Sequence, residues 1–358
     1  MKNKLRYTIV GGTWDDNGGR PSGYVTKLAH ALANDVGVEV LCQNGGSYNN
    51  LERSFTHGYL NLMTTDVLLW WPDVPNDKEK MVEQIKRLYP KVLLVTSKNN
   101  RAGKYSRHEL VARALSAKAN LLVEMTEEAG GFGATVIDPL GNVFLDHSTE
   151  IGELAEALAA RTFELKSFTR VGSARIGPSF ATPVDPMFLE LAHQYAEQFH
   201  TLVHAANQDR LLGNLSFRCE GGFPSSRVQG LPLIRVSRRN IDKRDIQPEG
   251  FVGVLLHDDD DVKYFGDVKP SVDTPIQAKL YKHFPNVNYM LHAHVYVAGA
   301  PFTASIVPCG ALEEFDEIVA LFPDPDVKNF AVNLRGHGSI VFASSPMLLR
   351  GIAYEARP

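Results

Sequence analysis

Lys269-Pro270-Ser271-Val272-Asp273-Thr274-Pro275 is followed by His292-Ala293-His294, and later by Arg335-Gly336-His337-Gly338. On a strand over residues 290–295 the side chains alternate, so His292 and His294 point to one face. His337 beside its glycines and the nearby carboxylate of Asp273 complete a donor set that suits a divalent transition metal, most simply zinc. Three histidines leave a coordination position open, so the expected site is catalytic rather than structural. His204, His257 and His283 match no motif and read as surface or packing residues.

The rest of the chain sets bounds around that cluster. Its 358 residues suffice for two domains, each with its own core. Hydrophobic residues at 44% and charged residues at 22% are ordinary for a globular protein. A net charge of −4 gives no electrostatic reason to expect nucleic acid or an anionic membrane as partner. Cys42, Cys219 and Cys309 are far apart and form no CxxC pair, which argues against a disulfide framework or a thiolate zinc site. No apolar run approaches the roughly 20 residues of a membrane helix, and the N-terminus lacks the apolar core of a signal peptide. These features predict a cytoplasmic protein. Asp258–Asp261 reads as a solvated hairpin turn, because the ligand spacing and closing Glu of a calcium loop are missing.

The first half predicts a Rossmann-like domain over 1–165. Apolar runs at Leu5–Val10, Val38–Cys42, Val67–Trp71, Val92–Thr96 and Leu121–Met125 alternate with amphipathic stretches at Tyr24–Ala33, Lys78–Leu88 and Arg107–Lys118. That rhythm predicts a mostly parallel sheet with helices on both faces. Thr135–Asp138 and Val143–Asp146 flank a Pro-Leu-Gly-Asn turn and predict a ribbon, and Glu150–Phe163 predicts a closing helix. Residues 166–187, rich in Ser, Gly, Arg, Thr and Pro, predict a linker. A strong helix at Phe188–Ala206 opens the second domain, 188–358.

That second domain resembles the class II aldolase/adducin family over nearly its whole length. The resemblance is carried by the order of Gly213-Asn214-Leu215-Ser216-Phe217-Arg218, Ser237-Arg238-Arg239-Asn240-Ile241-Asp242, the Lys269–Pro275 segment, the His-x-His pair and the late His-Gly. It implies an α/β/α fold, zinc on His292, His294 and His337, and Asp273 as ligand or base. It further implies substrate phosphate held at Gly213, Asn214, Arg239, Asn240 and Ser271, and an oligomer, commonly a tetramer.

The activity implied is that of a zinc-dependent aldolase acting through a metal-stabilised enediolate. The Ser-x-Asp-Thr-Pro context of Asp273 is closer to the L-ribulose-5-phosphate 4-epimerase branch, which keeps epimerisation as the alternative. Adducin keeps the fold without zinc, so a non-catalytic binding module is the third reading. Tyr354 stands where the family often supplies a tyrosine as proton donor, with Tyr289 and Tyr296 as competitors. Glu313 and Glu314 are the acids nearest the epimerases' acid/base position. Arg238-Arg239-Asn240 replaces the usual Pro-Ser-Gly, and its extra charge suits a larger or more highly charged substrate such as a nucleotide-linked sugar.

The first domain is similar, less specifically, to phosphopantothenoylcysteine synthetase. Gly11-Gly12-Thr13 ends the first strand and Gly18-Gly19-Arg20-Pro21-Ser22-Gly23 leads into the first helix. By that resemblance Gly12, Gly19, Ser22, Gly23 and Lys118 are candidate nucleotide contacts. Trp70-Trp71-Pro72-Asp73 replaces that family's Ala-rich motif, a departure that counts against ligase activity.

Overall fold

The computed structural model describes residues 4–15, 18–44, 62–71, 79–128, 131–180, 183–202, 213–219 and 232–357. They form two compact units, Met1–Ser167 and Phe168–Pro358.

In the first unit, β1 (Arg6–Val10), β4 (Glu39–Asn44), β5 (Val67–Trp70), β6 (Leu93–Asn99), β7 (Leu121–Glu128), β8 (Gly131–Ile137) and β9 (Val143–Ser148) build a seven-stranded sheet in the order β4-β1-β5-β6-β7-β8-β9. The first five strands in that order are parallel, and β8 and β9 add antiparallel edges. Because β5 and most of β6 are buried on both faces, they read as continuous apolar runs instead of alternating ones. One face packs on α1 (Gly23–His30) and α4 (Ile151–Ser167), through Val25, Leu28, Leu154 and Leu158. The other packs on α2 (Glu79–Leu88) through Ile85, and on α3 (Arg107–Ser116) through Leu110 and Ala114. Each such aliphatic side chain contributes on the order of 1.5–3 kcal/mol when fully buried.

The glycine-rich entry to α1 is not the simple strand-to-helix turn expected. β2 (Gly12–Asp15) and β3 (Gly18–Pro21) pair as a hairpin, with Gly12 opposite Pro21 and Gly19 opposite Trp14. Ser22 then caps α1, its Oγ accepting from the Val25 amide at 3.2 Å. Gly23 is the exposed first residue of the helix, and Lys118 lies in the left-handed turn after α3. Pro72, Asp73 and His204 lie outside the described residues.

The second unit carries an eight-stranded sheet in the order β10-β14-β13-β12-β11-β15-β18-β17. Its members are β10 (Ser173–Gly177), β11 (Asn214–Cys219), β12 (Leu233–Ser237), β13 (Phe251–Leu255), β14 (Val262–Phe265), β15 (Tyr289–Ala293), β17 (Phe330–Leu334) and β18 (Gly338–Ala343). The small β16 (Tyr296–Val297) pairs with β19 (Tyr354–Glu355). All neighbours in the large sheet are antiparallel except β10 and β14. α5 (Pro186–Leu202) covers one face, and α6 (Thr274–His283) with α7 (Glu313–Leu321) covers the other, giving three layers. The stretch 166–187, expected as a linker, carries regular structure. α4 runs through Ser167, and β10 extends the second sheet by backbone pairing of otherwise exposed residues.

Candidate metal centre

The site begins with the alternation of β15. Leu291 and Ala293 enter the core under α5, while Met290 enters the core under α6 and α7. His292 therefore faces the α6–α7 side. The strand ends at Ala293, one residue before His294, yet the two rings still converge, with centroids 5.2 Å apart. β18 runs beside β15, and the turn linking it to β17 delivers His337 at 4.8 Å from His292 and 4.9 Å from His294.

Two glycines permit that approach. A Cβ on Gly338 would stand 2.0 Å from the Ala293 carbonyl and 2.8 Å from the His294 Cα. One on Gly213, at φ +88°, would stand 2.5 Å from the His292 carbonyl. Gly213 thus packs against the histidine segment.

All three histidines are at most 8% exposed, and each offers a ligand nitrogen within 4.8 Å of the others. His292 Nδ1 donates to the Ser339 carbonyl at 2.9 Å, leaving Nε2 buried with no hydrogen-bond partner. His294 Nδ1 is likewise buried and unpartnered. His337 places Nδ1 2.8 Å from Glu314 Oε1 and Nε2 3.1 Å from Cys309 Sγ.

Burial, reinforced by His337, pushes His292 down to about 4; burial with both neighbouring imidazoles holds His294 well below the ordinary range. Burial also works to lower His337, but Cys309 and Glu314 outweigh it and hold that ring well above the ordinary value. Burial raises Glu314, against the opposing pull of His337.

Asp273 precedes α6 without capping it, so its carboxylate is available to the site. Oδ2 accepts from Asn214 Nδ2 at 3.1 Å and stands 3.7 Å from His292 Nε2, while Oδ1 is buried without a partner. Asn214 also donates to Ser271 Oγ at 3.1 Å and accepts from Gln277. Its side-chain amide thus orients Asp273.

Unpartnered buried acceptors cost roughly 1–3 kcal/mol each. Here His292 Nε2, His294 Nδ1 and Asp273 Oδ1 are left unpartnered within one cluster. Imidazoles beside a carboxylate are the donor chemistry of a divalent transition-metal site, an ion taking the place of the His337 proton, and these residues fit such an ion.

Beside this cluster lies a cavity of about 110 Å³, whose walls include Arg170, Arg239, Ser271, Thr274 and Cys309. Arg239 and Ser271 share this cavity, whereas Asn240 occupies an exposed left-handed turn at φ +58° and is not among the lining residues. Arg170, Cys309 and the buried Lys243 went unrecognised in the sequence. Burial draws Lys243 down to about 8 against the attraction of Asp242 and Asp273. A lysine beside a carboxylate far along the chain leaves no local pattern.

Tyr354 is corrected most plainly. Its ring packs against Tyr195 and Phe199 in the core under α5, and its buried hydroxyl has no partner. Burial raises the phenol far above its ordinary value, which makes it a poor proton donor. Tyr296 reaches the turn that bears His337, its Oη accepting from the Gly336 amide at 3.0 Å. Glu314 faces His337, and Glu313 instead accepts from the Thr169 amide.

Residues 193–354 match the family model described as Class II Aldolase and Adducin N-terminal domain. A methylthioribulose-1-phosphate dehydratase from Picosynechococcus sp. is 35% identical over 71 residues, 18% of this chain and 31% of that protein. The chain thus aligns with only about a third of that relative's length. The N-terminal unit resembles the DNA/pantothenate metabolism flavoprotein from Streptococcus pneumoniae, a match with 13% identity that covers 46% of this chain and all of that one at a TM-score of 0.35. The class II aldolase domain of a conserved Thermoplasma acidophilum protein is 13% identical and covers 49% of this chain and 92% of its own, at a TM-score of 0.32. Among the described residues no helix is long and apolar enough to cross a membrane. The region 193–354, which holds all three histidines, belongs to the class II aldolase and adducin family.

Proposed function

We propose that the second unit is a zinc-dependent lyase that breaks a bond in a phosphorylated or nucleotide-linked sugar, with aldol cleavage as the reaction. The observation that carries this reading is the convergence of three buried imidazoles beside Asp273, two of which, His292 and His294, keep an unpartnered buried nitrogen. A bound zinc ion supplies a Lewis acid that lowers the cost of negative charge on a substrate oxygen. Asp273, fixed through Oδ2 by Asn214, presents its unpartnered Oδ1 as the base that takes the substrate proton. Glu314 holds the Nδ1 side of His337, which turns Nε2 inward. Arg170, Arg239 and Ser271 hold the phosphate in the adjoining cavity, where binding energy orients the reacting carbons.

A dehydratase is the second reading, favoured by the relative of that name at 35% identity. There the base takes a proton from the carbon beside the carbonyl and the neighbouring hydroxyl leaves as water, whereas carbon–carbon cleavage starts from the hydroxyl proton. Incubating the zinc-loaded protein with a panel of phosphorylated ketoses, with mass spectrometry of the products, separates the two by chain shortening or loss of water. A product of unchanged mass but inverted configuration would indicate the epimerase.

The wild type should carry stoichiometric zinc that a His292→Ala/His294→Ala variant lacks. A wild type that takes up no metal would leave a non-catalytic, adducin-like binding module as the better reading. A cytoplasmic homo-oligomer is part of the proposal, checked by light scattering. Nucleotide binding by the first unit is checked by titrating wild type and Gly19→Glu; no binding by the wild type removes it.

A further inference from the structure

We propose that Cys309 is a ligand of the same metal, making the centre a mixed histidine–thiolate one. This inference rests on the metal reading above and adds a donor of different chemistry to it.

The position of Cys309 is set by backbone. It lies in a turn closed by the Ala311 amide on the Pro308 carbonyl, and the next residue, Gly310, packs so closely on Val272 that a Cβ would stand 2.8 Å from its carbonyl. Val272 immediately precedes Asp273, so the turn is fixed against the segment that bears the carboxylate. From there Cys309 Sγ reaches His337 Nε2 at 3.1 Å. The opposite nitrogen of that ring is occupied by Glu314, so Nε2 is the atom His337 has left for an ion. Any ion that engages it arrives beside the sulfur.

Asp273, Cys309 and His337 form a second trio of ligand atoms, all lying within 4.8 Å of one another. The two trios share His337. On a tetrahedral zinc with ordinary Zn–S and Zn–N bonds, the sulfur and nitrogen stand roughly 3.5 Å apart, a few tenths of an ångström from the separation here. A separate observation also indicates a cation: His292 Nε2 is buried without a partner on a residue that is 2% exposed.

The bland alternative is a thiol that simply hydrogen-bonds His337, a task a serine would also perform. The two roles differ in chemistry. A thiolate is a soft donor that favours zinc, cobalt and iron over magnesium, calcium and manganese, and it adds negative charge that imidazole donors lack.

Cobalt(II) substitution distinguishes them without recourse to activity. The cobalt-loaded wild type should show visible ligand-field bands and a near-ultraviolet thiolate-to-cobalt charge-transfer band. Cys309→Ser should keep the visible bands and lose the charge-transfer band. A Cys42→Ser/Cys219→Ser variant, in which Cys309 is the remaining thiol, should keep both, and this arm stands if Cys309→Ser does not fold. Visible bands with no charge-transfer band in the wild type, or a band unchanged in folded Cys309→Ser, overturn sulfur ligation and leave the histidine site standing. No cobalt spectrum from folded wild type, as judged by circular dichroism, overturns the metal reading and this inference together.

Discussion

Glu314 and the Ser339 carbonyl perform the same task for different rings. Each engages an Nδ1, so that Nε2 of His337 and of His292 is turned to the centre. Outer partners of this kind typically tune metal affinity by roughly 10–100-fold. Glu314→Gln preserves shape and removes charge, so zinc affinity measured by chelator competition should fall within that range. Unchanged affinity would mean that orientation alone matters. Asn214→Ala makes a contrasting test. Asp273 loses its donor while the histidines are untouched, so turnover should drop at unchanged zinc content; loss of zinc instead would show Asp273 to be a ligand in the resting state.

Between residues and the whole, the hairpin of β17 and β18 carries the greatest constraint. Gly338→Ala must move the Ala293 carbonyl, and overpacking of this kind costs about 1–3 kcal/mol. A lowered denaturation midpoint together with lost metal is expected, and a wild-type midpoint would contradict the close packing of β18 on the His-x-His segment.

A second element-scale test concerns the start of the parallel sheet. Burial works to raise the Asp66 carboxyl, but hydrogen bonds from Arg6 and Lys166 outweigh it and hold it below its ordinary 3.8. The unfolded chain therefore takes up the proton at higher pH than the folded one. The contribution is present above the ordinary carboxylate value and is lost as the pH falls through the lowered one. The stability gap between wild type and Asp66→Asn should accordingly shrink from pH 7 toward pH 3 in urea titrations. Because the Arg6 side chain is 40% exposed, the gap should be modest. Elements such as β5, β6 and β15 were legible because apolar runs and alternation are written locally, and the three histidines because their spacing forms a motif. β10 was not, since its residues are exposed or half-buried and it joins the sheet by backbone bonds that leave no apolar pattern. Tyr354 misled because its position near the C-terminus suggested chemistry while its ring was drawn into the aromatic core.

At the scale of the molecule, each unit has its own sheet and its own hydrophobic clusters. Residues 168–358 expressed alone should therefore fold and bind zinc at the stoichiometry of the full chain, as measured by elemental analysis. An unfolded product would show that the second unit depends on the first. The place of the cut matters, however. Beginning at residue 188, where the linker was expected to end, would strip β10 from β14 and remove Arg170 from the cavity. The bared β14 would present a row of unpaired amides and carbonyls, an open template for other chains. Shortened proteins that start there should precipitate or stack edge to edge, so the seemingly idle stretch before the enzyme-like region acts as a selvedge that stops the sheet from fraying into its neighbours.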